Sequence, residues 1–466
     1  NPNGKLTTLQ ESQASGYPND LPIETYDFQA PLSAFGQERE SFRKLKIFNY
    51  FLNAFGPLLA PMPAFAPNRV PSGPQDVSVA RVAVRTNGHS GFLFFNNYLR
   101  YYAMPDRPHF QAKVELPGKT LLVPARPVNL PSGDYGIWPF GLRLGTLRLR
   151  YATCELLSRT QTGRDTTYYF VVTKRVPSQF VFEDQKGTKI ESSGRVVHRD
   201  GSVIIDALGP SLHPVLTAMG PNGDTTRVVL LSEEQAENAW QVGEGCPHLL
   251  LTPAQFYSDG LTVKLQQDGN PRFSFTVTPR AAAAPRTAAK METVRADSSA
   301  TRFNSSVPAA FPKIEIRKIQ SAGTIPPVSL GPSFSWRKHG VAEAPDPRLF
   351  SLAAKWKLSI PRSDWDGVGN LFLVVHYKGD VARLTSGGAL LDDNFYNGKP
   401  WIVGLDSFQH QIEKSGLELE ILPLRSDAPI FLERRFRKAK SKSGQVIDLN
   451  SVRLVPQYRL QLQFEK

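Results

Sequence analysis

Two hydrophobic periods divide the chain. From Gln37 onward, apolar residues recur at Phe42, Leu45, Phe48, Leu52 and Phe55, with Arg39, Glu40, Arg43, Lys44 and Lys46 on the other faces. These spacings of three and four make one stripe on an amphipathic helix. Gly56-Pro57 predicts its end, a helix-stopping Gly followed by Pro. An isolated helix of about five turns is marginal in water. No neighbouring segment offers it a partner, so the stripe is expected to expose Phe42, Leu45 and Phe48, having packed on a domain upstream of Asn1.

Beyond the Pro-rich connector 61–75 the period becomes two. Val77, Val79, Arg81 to Val84 and Gly91 to Asn96 read as a strand pair across Thr86-Asn87-Gly88-His89, where Asn-Gly is the turn signal. Alternation continues through Gln111 to Leu116, Thr120 to Val123, Leu147 to Tyr151 and Thr167 to Val172. A second β segment runs to Pro279. Arg280 to Ala300 has the Ala, Pro and Ser composition of a linker. Patterning then resumes at Lys313 to Arg317 and includes a strand of high β propensity, Leu371 to Tyr377.

The expected organisation is therefore 1–60 as a separate leading element, 61–75 a connector, 76–185 a β-sandwich, 186–279 a second β domain, 280–312 a linker and 313–466 a last β domain. A chain of 466 residues is too long for one core. With 38 prolines and 35 glycines it is punctuated into short segments, which favours an all-β protein.

The net charge of +13 raises nucleic-acid binding as a class. Its densest cluster, Arg434, Arg435, Arg437, Lys438, Lys440 and Lys442, falls where a hairpin loop is expected. No nucleic-acid module accompanies it, so it reads as a solvated loop and no nucleic-acid partner is expected. Cys154 and Cys246 allow one disulfide or two buried thiols. The longest apolar stretch, Tyr50 to Ala66, is broken by Pro57, Pro61 and Pro63, so no membrane span is expected.

Local chemistry is sparse. The eight histidines are dispersed without metal-ligand spacing, so no metal is expected. There is no phosphate loop and no Gly-x-Ser-x-Gly elbow. The adjacent pairs Glu233-Glu234 and Asp392-Asp393 would point to opposite faces of a strand and are read as solvated.

Five segments resemble, in serial order, family 35 β-galactosidases. Tyr26-Asp27-Phe28-Gln29-Ala30-Pro31-Leu32-Ser33 is similar to the segment after the last strand of the family's catalytic barrel. Gly91 to Tyr98 (GFLFFNNY) and Ile137-Trp138-Pro139-Phe140 resemble segments of the sandwich that follows. Gly379 to Leu384 and Leu390 to Gly398 resemble its terminal jelly-roll.

The resemblance implies a fold that is mainly β: the end of a (β/α)8 barrel, then β-sandwich domains and a carboxy-terminal jelly-roll. It implies a retaining mechanism with two glutamates about 5 Å apart, one nucleophile and one acid/base. Both would lie on barrel strands upstream of Asn1, so this chain alone is expected to be inactive. The implied substrate is a galactoside or galactose-containing polysaccharide, the implied partner the amino-terminal catalytic barrel, and no cofactor is implied. Tyr26 would line the galactose pocket; Phe28 stands where the family has a second tyrosine, which removes one hydroxyl. The implied location is periplasmic or secreted rather than cytoplasmic. The alternative is a non-catalytic carbohydrate-binding sandwich protein, recognisable by an exposed platform of Tyr396 and Trp401 beside Asp393 and Asn394.

Overall fold

A computed structural model describes residues 22–24, 30–100, 102–243, 245, 247–430, 432 and 444–465. Tyr26, Phe28, Cys246 and the basic run Arg434 to Lys442 lie outside the described residues. Strands hold 51% of the chain and helices 11%, so the protein is mainly β, as its alternation predicts. It divides into two compact units.

One unit comprises residues 40–263, 274–305 and 462–466. Its main sheet runs, in order, Ala64–Phe65, Arg81–Thr86, Gly91–Asn96, Tyr135–Phe140, Leu147–Ala152, Ser178–Glu183, Ser202–Leu208 and Arg195–Arg199. The expected Asn-Gly hairpin opens it. Thr86 pairs with Gly91, and Asn87 Oδ1 accepts from the amides of His89 and Ser90. Gly91 cannot be replaced without movement, because a Cβ there would stand 2.2 Å from the Arg85 carbonyl and 2.6 Å from the Phe140 ring.

A second sheet, ordered Lys189–Ser192, Ser211–Met219, Thr225–Leu231, Asp165–Val172 and Cys154–Thr162, packs on one face of the main sheet. The hairpin Arg107–Leu116 and Lys119–Leu130 packs on the other through Phe110, Val114 and Val123, which meet Leu93, Phe95 and Trp138. Period two explains the layering. Along Asp165–Val172, Tyr168 and Phe170 enter the core shared with the main sheet. Tyr169 and Val171 enter the next core, with Leu249 and Leu251.

Two expected boundaries are corrected. Strands from both sides of residue 185 interleave in the same two sheets, so 76–185 and 186–279 are not separate domains. The stretch 280–312 is not a linker: Met291–Ala296 and Thr301–Ser306 join a third sheet with Ala239–Val242, His248–Leu251 and Arg272–Thr278. Cys154 is free and buried, and burial pushes its thiol up to about 12.

The helix Glu40–Leu59 carries Pro57 in its last turn, past the predicted stop. The lost backbone bond costs roughly 3 kcal/mol. Burial of Leu59 and Met62 offsets it, at roughly 1.5–3 kcal/mol each. Nor does the helix lack a partner within the unit. Phe51, Phe55 and Leu59 enter the core, Phe51 edge-on to Phe92 at 5.3 Å. Lys46, read as a solvated outer-face residue, is 6% exposed. Its Nζ donates to the Glu237 and Ala239 carbonyls, each at 2.7 Å, and lies 3.4 Å from the Trp240 ring centroid. Phe42 is half-buried against Trp240 at 6.2 Å. Leu45 and Phe48 alone of the expected three stay exposed, at 51% and 45%.

The other unit comprises residues 1–39, 264–273 and 306–461. Strands Thr262–Asp268, Asp448–Gln463, Asn370–Lys378 and Trp401–Gly404 run in that order in one sheet. Glu315–Gln320, Ala354–Ser359, Leu417–Ile421, Val381–Ser386 and Ala389–Phe395 run in that order in the other. Leu371, Leu373 and Val375 from the first meet Leu358, Leu384 and Leu419 from the second, closing a sandwich core. Among the described residues no helix is long and apolar enough to cross a membrane.

Candidate functional site

The carboxylates singled out in the sequence fall on the hairpin Val381–Ser386 and Ala389–Phe395, with Leu384 opposite Asp392 and Arg383 opposite Asp393. As expected for neighbours on a strand, the two aspartates point to opposite sides. Neither is solvated, however: each is 2% exposed. Asp392 Oδ2 accepts from the Trp401 indole N–H at 3.0 Å, while its Oδ1 is buried with no hydrogen-bond partner among the described residues. Burial pushes Asp392 up to about 7 and Asp380 up to about 6. Burial also raises Asp393, which accepts from the backbone amides of Ile23 at 2.8 Å and Glu24 at 2.9 Å. The hairpin thus anchors the residues that lead to Tyr26.

This geometry removes the aromatic platform. Trp401 is 5% exposed, its indole turned inward. Tyr396 is half-buried, edge-on to Tyr377 at 5.5 Å. Asn394 is occupied by Tyr377, donating to its hydroxyl at 2.8 Å and accepting on its own carbonyl at 3.1 Å. Asn397-Gly398 forms a turn: Asn397 Oδ1 accepts from the Lys399 amide, and Gly398 takes φ +82°. Trp401 offers no open face for stacking a sugar, so the two rings do not form the expected exposed pair.

A groove of about 1160 Å³ lies in the other unit, between Leu45 and Phe48 of the helix and the strands carrying Phe94, Tyr135 and Glu155. Glu155 turns its carboxyl to the Ile137 amide at 3.3 Å. A Cβ on Gly136 would come 2.9 Å from Glu155 Oε1, so glycine is what lets the carboxyl fold against the strand. Burial, reinforced by the charge of Glu233, pushes Glu155 up to about 8. Tyr135 is raised mainly by burial as well. At neutral pH the groove therefore presents a mostly protonated carboxyl, with Leu45, Phe48 and Phe94 and the charged Lys44, Arg81 and Glu233 in its lining.

No family model and no curated protein matches the chain.

Glu155 went unnoticed in the sequence because nothing local marks it. It follows Cys154 in an ordinary alternating strand, and its environment is made by Gly136 and Ile137 from a different strand. Glu233 and Glu234 open a short helix capped by Ser232, whose side chain accepts from the Gln235 amide. Among the described residues no group of three or more His, Cys, Asp and Glu is placed to hold a metal ion.

Proposed function

We propose that this chain is the β-domain portion of a retaining family 35 β-galactosidase, ending a (β/α)8 barrel and continuing into sandwich and jelly-roll domains. The enzyme would release terminal β-linked galactose from oligo- or polysaccharides, with Tyr26 in the sugar pocket and both glutamates on the barrel. The observation that supports this best is a pairing. The two segments resembling the family's sandwich are adjacent strands of one sheet, with Phe92 opposite Pro139 and Leu93 opposite Trp138. Likewise, the two segments resembling its terminal domain form a single hairpin. The hairpin segments are already close in sequence, so the weight rests on the first pair, whose strands are separated by the hairpin 107–130.

The exposed Leu45 and Phe48, at the lip of the groove, are the face a catalytic barrel would cover. Within that contact, Glu155 is a carboxyl already adapted to an apolar surrounding. The test is expression of the complete reading frame beside this chain alone, both assayed on a nitrophenyl β-galactoside. Hydrolysis with retained anomeric configuration is expected from the complete frame and none from the chain alone. A complete frame without a two-glutamate barrel, or turnover by the chain alone, overturns the proposal.

A further inference from the structure

A second cavity, of about 920 Å³, is built from the face of the sheet that contains Asp165–Val172. Strand register makes its floor. Thr217 lies opposite Arg227, Arg227 opposite Thr167, and Thr167 opposite Thr160. One straight row across four strands is thus wholly polar. The next row inward, Val229 opposite Tyr169, belongs to an apolar core. The Tyr169 hydroxyl, buried with no hydrogen-bond partner among the described residues, marks the border between the two halves. A sheet face that turns from apolar to hydroxyl-lined at a single register step encloses a polar void rather than a packing defect.

The opposite wall carries His248, Pro279 and Arg280. His248 Nδ1 lies 2.9 Å from the Pro279 carbonyl, which can only accept, so Nδ1 carries the proton. Burial lowers the His248 pKa, which favours the neutral ring and leaves Nε2 as an acceptor. Arg227 is held by Asp165 at 2.8 Å, and His213 faces Asp297 at 3.5 Å. Asp165 and Glu465 stand beside Arg227 and Arg280 around the cavity, so both signs of charge are present, which disfavours a phosphate-like anion. The floor is a sheet face of side chains, with Thr160 and Thr162 on the sheet's edge strand Cys154–Thr162.

From this geometry we infer that the cavity is a non-catalytic binding site for a short oligosaccharide, recognised through its hydroxyl groups. Threonine hydroxyls both donate and accept, neutral His248 accepts, Arg280 donates, and Pro247 and Pro279 supply apolar surface for ring C–H groups. The volume lies within the roughly 300–1,000 Å³ usual for ligand clefts. Sugar binding at the cavity follows from these residues; only the choice of galactose as the sugar rests on the proposed function.

The experiment titrates the whole chain with β-linked galactotriose, cellotriose and inorganic sulfate, followed by calorimetry and ligand-observed NMR. Galactotriose should bind, and Thr160→Val with Thr167→Val should weaken it about tenfold or more while keeping side-chain volume. Arg280→Ala, at an exposed position, should weaken binding as well. Binding of cellotriose in place of galactotriose, lost in the same variants, supports the cavity and counts against the galactosidase reading. No trisaccharide binding, binding of sulfate alone, or binding untouched by all these variants overturns the inference.

Discussion

Trp401 donates its indole N–H to Asp392 at 3.0 Å, with both side chains buried in one sandwich core. The bond satisfies one carboxyl oxygen, while the other has no partner among the described residues. Trp401→Phe should therefore leave the first oxygen unpaired too and cost about 1–3 kcal/mol, beyond the loss of packing. Urea unfolding at pH 7 measures it. Asp392→Asn keeps an acceptor for the indole and should cost less than Trp401→Phe.

The raised carboxyl of Glu155 gives stability a definite pH dependence. Its pKa climbs from an ordinary 4.5 to about 8 on folding, so between those values the folded chain binds the extra proton. Stability is then greatest at the acid end of that window and falls as pH rises through it, levelling off above 8. Each tenfold change in proton affinity corresponds to about 1.4 kcal/mol, so the drop amounts to a few kcal/mol. Asp392 adds to it below about 7. Glu155→Gln should flatten the slope and raise Tm at pH 9, read by thermal scans from pH 5 to 9.

Lys46 fixes the helix through two carbonyls and the Trp240 ring. Lys46→Met keeps the stem but leaves the Glu237 and Ala239 carbonyls unpaired, a loss of about 1–3 kcal/mol for each group that stays buried. Phe51→Ala empties a well-packed position and should cost about 3–5 kcal/mol. Measured by denaturant midpoints, the order Phe51→Ala at or above Lys46→Met is the expected outcome.

Leu45→Glu and Phe48→Glu separate surface from core. In the chain alone both positions are exposed and each change should stay within about 0.5 kcal/mol. In the longer enzyme proposed above, the same changes should lower Tm and activity, because a carboxylate would be buried against the proposed barrel. Equal behaviour in both forms would show that nothing covers this face.

Much of the sheet structure was legible along the sequence because its signals are local. Asn87-Gly88 specifies a tight turn, and Leu93, Phe95 and their neighbours alternate openly. The missed features depend on distant partners. Lys46 looks like a solvent-facing residue until Trp240, nearly two hundred positions later, covers it. The expected stripe holds Phe55 but runs through Leu52 rather than Phe51, whereas the core takes Phe51, Phe55 and Leu59. Thr301–Ser306 hides its alternation, since Thr301 and Ser305 point inward beside Phe303 and look polar on paper. Asp392 and Asp393 read as solvated for a similar reason: the indole and amides that bury them come from Trp401, Ile23 and Glu24. Tyr26, expected to line the galactose pocket, lies outside the described residues.

The strand Asp165–Val172 lends Tyr168 and Phe170 to one core and Tyr169 and Val171 to the next. A party wall of this kind leaves no seam along which a builder could lift out a smaller module. Trimming the chain on either side would strip one house of its wall while trying to spare the other. Shortened versions of this unit should therefore be sought by removing whole outer layers, such as the hairpin 107–130, and never by cutting between the sheets that share the strand.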